Sequence, residues 1–115
     1  MVAAESRVRN GGETMAKELL GIMITKHENL EHIIGVTRAA RAAGKQVMIF
    51  MTDEGVKFTR DPKFLELQKL DNVELSVCDH SCEQAGIHEK TAGISYGSQY
   101  NNAGMLHDNE RVLIF

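Results

Sequence analysis

Two short apolar runs enclose an amphipathic helix, and this constrains the fold more than any other feature of the chain. Leu19-Leu20-Gly21-Ile22-Met23-Ile24 is an unbroken apolar run, as is Val47-Met48-Ile49-Phe50-Met51. Strands buried on both faces of a parallel sheet read this way. Between the runs lie a polar stretch, Thr25 to Asn29, and a helical stripe: Leu30, Ile33, Ile34, Thr37, Ala40 and Ala43. Arg38 and Arg41 stand near the end of that stripe and Gly44 stops it, matching the charge and backbone preferences of a helix C-terminus. A strand, a helix and a strand in so little chain form one βαβ unit, with a right-handed crossover and parallel pairing.

The rest of the chain extends the same pattern. Asp61-Pro62 opens a second helix, with Asp as N-cap and Pro at the first helical position, and Phe64, Leu65 and Leu70 are its expected buried stripe. Val73-Glu74-Leu75-Ser76-Val77 alternates as a third strand, with one face less buried than the other. Cys78 to Gly86 reads as a strand-to-helix turn and a short helix. Ile94 to Tyr96 reads as a brief strand, Ser98 to Leu106 as a helix, and Val112 to Phe115 as a last strand. The expected architecture is an α/β three-layer sandwich, with a mostly parallel sheet of four or five strands. Residues 1–15, which carry Asn10-Gly11-Gly12, are expected to be a disordered lead-in, and residues 16–115 a single domain.

Composition narrows the function. The 115 residues carry 13 Lys+Arg against 16 Asp+Glu, a formal charge of −3 with no basic block. Nucleic acid as a direct ligand needs clustered positive charge, and is not expected. No apolar run reaches the roughly 20 residues of a membrane-spanning helix, so no membrane partner is expected either. Arg7 and Arg9 are followed by no apolar segment of a secretory signal, which makes the cytoplasm the expected compartment. Thiols stay reduced there, and both cysteines should be free.

Loops that follow parallel strands gather at the carboxyl edge of the sheet, where α/β proteins bind ligands. Three polar clusters should meet there: Thr25 to Asn29, Thr52-Asp53-Glu54-Gly55, and Cys78-Asp79-His80-Ser81-Cys82. The last carries the most chemistry. Cys78 stands directly after a strand and Cys82 in the first turn of the next helix, whose N-terminal partial charge stabilises a thiolate. A protonated His80 would act in the same sense, whereas Asp79 and Glu83 act against it, so the net sign stays open. Cys82 is equally well read as a space-filling core residue. Cys78, His80, Cys82 and His88 have the residue types of a zinc site without its spacing, and no metal is expected. His27, His32 and His107 read as surface or cap residues. No phosphate-binding glycine motif occurs, and no cofactor is implied.

Several segments together resemble the DsrE/DsrF/TusD-like sulfur-relay proteins. Val73-Glu74-Leu75-Ser76-Val77-Cys78, with Gly86-Ile87 beyond it, is similar to their strand ending in Val-Cys and the short helix that runs to a Gly-hydrophobic pair. Gly44 to Met51 resembles their second strand, and Asp53-Glu54-Gly55-Val56 the loop after it. Gly93 through Gly97-Ser98 to Arg111-Val112-Leu113-Ile114-Phe115 resembles the closing helix and strand. The resemblance covers roughly residues 17–115. It implies a small protein that holds sulfane sulfur as a persulfide on Cys78 and passes it from a donor protein to an acceptor protein. Cys82 is then a resolving or relay thiol, and His80, Ser81 and Asp53 support the site. Gln84-Ala85 stand before Gly86, where sulfur-relay members commonly carry basic residues.

The resemblance also implies a homo-oligomer, trimer or hexamer. Met23, Met48, Met51 and Met105 add apolar surface to a core already rich in Leu, Ile and Val, and a leftover apolar face would need a partner. Three functions follow: a sulfur carrier or sulfurtransferase, a non-catalytic oligomeric binding module, and a thiol redox protein cycling Cys78 and Cys82.

Overall fold

The βαβ unit forms where the periodicity places it. In the computed structural model, which describes residues 19–97 and 111–115, β1 (Leu19–Ile24) and β2 (Gln46–Met51) pair in parallel, Ile22 opposite Ile49. Helix α1 (Leu30–Ala42) connects them and buries Ile33, Thr37 and Ala40. Thr37 is tolerated in the core because its hydroxyl donates to the Ile33 carbonyl at 2.8 Å, so no polar group is left unpaired. Gly44, at φ +82°, ends the helix. Its N–H reaches the Arg41 carbonyl at 3.0 Å, and that of Lys45 reaches Ala40 at 2.9 Å. These paired contacts are the Schellman stop, which a left-handed residue permits.

Three further strands, β3 (Val73–Cys78), β4 (Ile94–Gly97) and β5 (Arg111–Ile114), complete a five-stranded sheet in the order β4-β3-β2-β1-β5. Every pairing is parallel. One face carries Ile22, Ile24, Ile49, Met51, Leu75 and Val77, and the described helical segments pack on it through Ile33, Val56, Phe58, Phe64, Leu67 and Cys82. The opposite face carries Met23, Phe50 and Cys78, with Met48 and Val112 packed against them. Cys78 and Cys82 therefore belong to different sides of the sheet. The helix expected from Ser98 to Leu106, Met105, His107 and the lead-in at 1–15 lie outside the described residues. No helix among the described residues is long and apolar enough to cross a membrane.

Two segments differ from expectation. The residues after Thr52 form a 3₁₀ helix, Asp53–Arg60, that buries Val56, Phe58 and Thr59. This segment lies tight against β1: a Cβ on Gly55 would stand 2.3 Å from the Ile24 carbonyl oxygen. Asp61 does cap the next helix, accepting from the Lys63 amide at 2.9 Å. That helix, α2 (Pro62–Leu65), stops after one turn and continues as a 3₁₀ helix over Glu66–Lys69. Its buried pair is Phe64 and Leu67, while Leu65 and Leu70 are half-buried. A three-residue repeat eclipses i and i+3 on one face, so Phe64 and Leu67 replace the expected stripe of Phe64, Leu65 and Leu70.

Candidate functional site

Strand register builds the site. Met51 of β2 stands opposite Val77 of β3, so the next residue of each strand, Thr52 and Cys78, reaches the carboxyl edge side by side. Cys78 ends β3 and is at once the N-cap of α3 (Asp79–Gln84), in extended conformation at φ −78°, ψ 116°. With no linker between strand and helix, the amides of His80 and Ser81 turn toward the cysteine sulfur. These are the second and third helical positions, the donors that an N-cap side chain ordinarily satisfies. The Cys78 side chain makes no capping hydrogen bond, and a thiolate there is the form that these neighbouring groups favour. Burial pushes the Cys78 thiol up. The Ser81 hydroxyl, the Ser81 and His80 amides and the Thr52 hydroxyl pull it down, and the net result lies below the ordinary thiol value.

Ser81 ties the second and third polar clusters together. Its side-chain oxygen accepts from the Asp53 amide at 3.0 Å and lies 3.2 Å from the Thr52 hydroxyl. Asp53 holds a left-handed φ of 51°, and its amide is the backbone group that reaches α3. Serine is 6% exposed here, and each of these contacts offsets the cost of burying a hydroxyl. The other end of α3 is closed by Gly86, at φ +78°, with the Ile87 amide reaching the Cys82 carbonyl at 2.8 Å.

Helix α3 separates two clefts. Cys78 is only 2% exposed and packs with Met23 and Phe50, yet it borders open space. It lines a cleft of about 700 Å³ together with Asp53, Asp79, His80, Ser81, Gln84 and Gly97. Cys82, 3% exposed, lines a second cleft of about 460 Å³ that includes Glu83, His88, Lys90 and Tyr96. Asp79 and His80 border both. Burial, the Asp79 carboxylate and Cys78 push the Cys82 thiol up. One cysteine is thus prepared for ionisation and the other against it.

The five site residues expected from sequence divide accordingly. Cys78, Ser81, His80 and Asp53 meet at one cleft, whereas Cys82 faces the other. His80 contributes its backbone amide to the sulfur, and its exposed side chain lies at the border of the clefts. The Thr25 to Asn29 cluster lines neither cleft: the Thr25 hydroxyl donates to the Phe115 carbonyl at 2.9 Å, and the His27 ring stands edge-on to Phe58. The acidic pair Asp53-Glu54 splits, with Glu54 turned to Lys57 at 2.6 Å. Among the described residues no three His, Cys, Asp or Glu side chains converge to hold a metal ion. Thr52, Gln84 and Gly97 were not singled out as site residues from sequence. Thr52 and Gly97 could have been, because both flank Cys78 once the strands are taken as parallel and in register.

No protein-family model matches the chain, and no curated protein sequence matches it. A solved structure does. The chain is similar to the crystal structure of the YchN protein from E. coli, at a TM-score of 0.66 and 16% sequence identity, covering 87% of this chain and 100% of that one. The fold is therefore DsrE-like: a parallel five-stranded sheet in an α/β arrangement.

Proposed function

We propose that the protein is a sulfur carrier, which receives sulfane sulfur on Cys78 and hands it to a partner thiol. The observation that carries this reading is a cysteine placed at the junction of β3 and α3, on the border of a cleft, where the neighbouring Ser81, His80 and Thr52 groups favour its thiolate. Thiolate is the nucleophile in sulfur exchange. The Cys78 thiolate attacks the outer sulfur of a donor persulfide, R–S–SH. A bond forms between Cys78 Sγ and that sulfur, the donor S–S bond breaks, and the donor leaves as its thiolate. The product is Cys78–S–SH. An acceptor thiolate then attacks the outer sulfur and Cys78 leaves as thiolate, a departure that a lowered thiol pKa accelerates. The donors that stabilise the Cys78 anion therefore assist loading and unloading alike.

The chain's own residues suffice for this exchange. Donor and acceptor proteins are its partners, and a reducing compartment such as the cytoplasm suits a free thiol. Self-association belongs to the same reading, supported by Leu113 and Ile114 of edge strand β5, the exposed large apolar residues among those described. A strictly monomeric protein at micromolar concentration, measured by sedimentation, would count against that part. A redox cycle between Cys78 and Cys82 is less favoured because the two cysteines line different clefts. The deciding experiment is intact mass after exposure to a polysulfide donor. One transferred sulfur adds about 32 Da, and the gain should persist in Cys82→Ser and vanish in Cys78→Ser. Equal loading of Cys78→Ser would end the proposal.

A further inference from the structure

The cleft around Cys78 has an electrostatic sign. Its described lining holds the carboxylates of Asp53 and Asp79 and no Lys or Arg. Both carboxylates are exposed, and neither has an ion-pair partner among the described residues. Lys57, on the same 3₁₀ segment as Asp53, is taken by Glu54 at 2.6 Å. The amides of the first turn of α3 do not reverse the sign, because they are directed at the Cys78 sulfur itself. Gln84, also in the lining, is neutral. His80 is the one other ionisable side chain in that lining, and with its imidazole neutral an incoming anion would meet two carboxylates and the thiolate together.

Resting on the sulfur-carrier reading, we infer that Asp53 and Asp79 make the Cys78 cleft selective for a persulfide flanked by positive charge. The donor is a polypeptide cysteine persulfide with Lys or Arg beside it, in preference to an anionic donor such as thiosulfate. Two carboxylates lining the same solvent-open cleft as the reacting cysteine correspond to a rate preference on the order of tenfold for a cationic over an anionic donor. The preference must shrink with added salt, since exposed charges are screened within about a Debye length. The transfer is the exchange already written, with the donor peptide released as its thiolate.

The test uses Cys82→Ser, His80→Gln protein, in which Cys78 is the sole thiol and the described cleft lining carries no imidazole. Two persulfidated peptides, one flanked by Lys and one by Glu, are compared by the rate at which Cys78 gains one sulfur in intact mass. In parallel, two methanethiosulfonate reagents are compared, one bearing trimethylammonium and one sulfonate. Both form a disulfide with Cys78 and release the same methanesulfinate, so their rate ratio cancels the thiolate fraction. The Lys-flanked peptide should load about tenfold faster, and the cationic reagent should exceed its free-thiol ratio by a similar factor. The double substitution Asp53→Asn, Asp79→Asn should return both ratios to the free-thiol values. Equal loading by the two peptides, or ratios unchanged by the double substitution, would overturn the inference while leaving sulfur carriage intact. If neither peptide loads Cys78 while the reagent ratio still responds to the substitutions, sulfur carriage falls and the charge selectivity stands.

Discussion

Replacing Ser81 by Ala isolates the hydroxyl that joins the two loops of the site. In the native protein this oxygen accepts the Asp53 amide at 3.0 Å and lies 3.2 Å from the Thr52 hydroxyl. Its own proton is among the groups that hold the Cys78 thiol below its ordinary value. A hydrogen bond to a charged group contributes about 1.5–3 kcal/mol. Losing the lower figure removes roughly nine-tenths of the thiolate at a fixed pH below the midpoint, since about 1.4 kcal/mol is a factor of ten. The stability cost should be smaller, about 1 kcal/mol, because the Asp53 amide borders a cleft that water can enter. The assay is the rate of iodoacetamide alkylation against pH in the Cys82→Ser background, read by intact mass. Ser81→Ala should alkylate about tenfold more slowly at any pH below the native midpoint and reach the same plateau at high pH, where every molecule is thiolate. An unchanged rate below that midpoint would refute the role of Ser81. A lowered plateau would point instead to altered access.

Further tests address the other supports. Cys78→Ser and Cys82→Ser proteins should alkylate with separate pH profiles, the remaining Cys78 reacting at lower pH than the remaining Cys82, because one thiol is pulled down and the other pushed up. The same directions fix the linkage. The depressed Cys78 contributes stability that is present above its unfolded pKa and lost as pH falls through the folded one. The raised Cys82 contributes stability that is present below its unfolded pKa and lost as pH rises through the folded one. Gly55→Ala should cost on the order of 2–4 kcal/mol in urea denaturation, since the new Cβ meets the backbone oxygen and carbon of Ile24 at 2.3 and 2.8 Å, which can yield only by moving the end of β1. Asp61→Ala should cost about 1 kcal/mol in the same measurement, the usual loss for an N-cap, because Asp61 accepts from two amides of α2.

Local pattern was enough wherever burial and period agree. The apolar runs at 19–24 and 47–51 stand alone as parallel strands, and the stripe from Leu30 to Ala40 with Gly44 behind it specifies α1 and its stop. Pattern was not enough between Asp53 and Lys69. There the chain winds with a three-residue repeat, because it must lie against β1 at Gly55 and bring Phe58 to stack on Phe64, with ring centroids 5.1 Å apart. Neither contact is written in the segment's own periodicity.

The site divides in the same way. That Cys78 would stand where a strand gives way to a helix, near the Thr52 loop, followed from the order of elements along the chain. The sign of its ionisation did not, because Asp79 and Glu83 opposed the helix amides and sequence carries no distances. Folding decided it: β2 and β3 in register place Thr52 beside the sulfur, and α3 starting without a linker brings Ser81 back over it. Cys82, four residues on, rides the same short helix to the other side of the sheet, where burial and a neighbouring carboxylate keep it protonated. Sequence determined that the two thiols would be near each other, and only the turn from strand into helix determined that they would differ, since a thiol's acidity depends on which donors and charges face its sulfur in space.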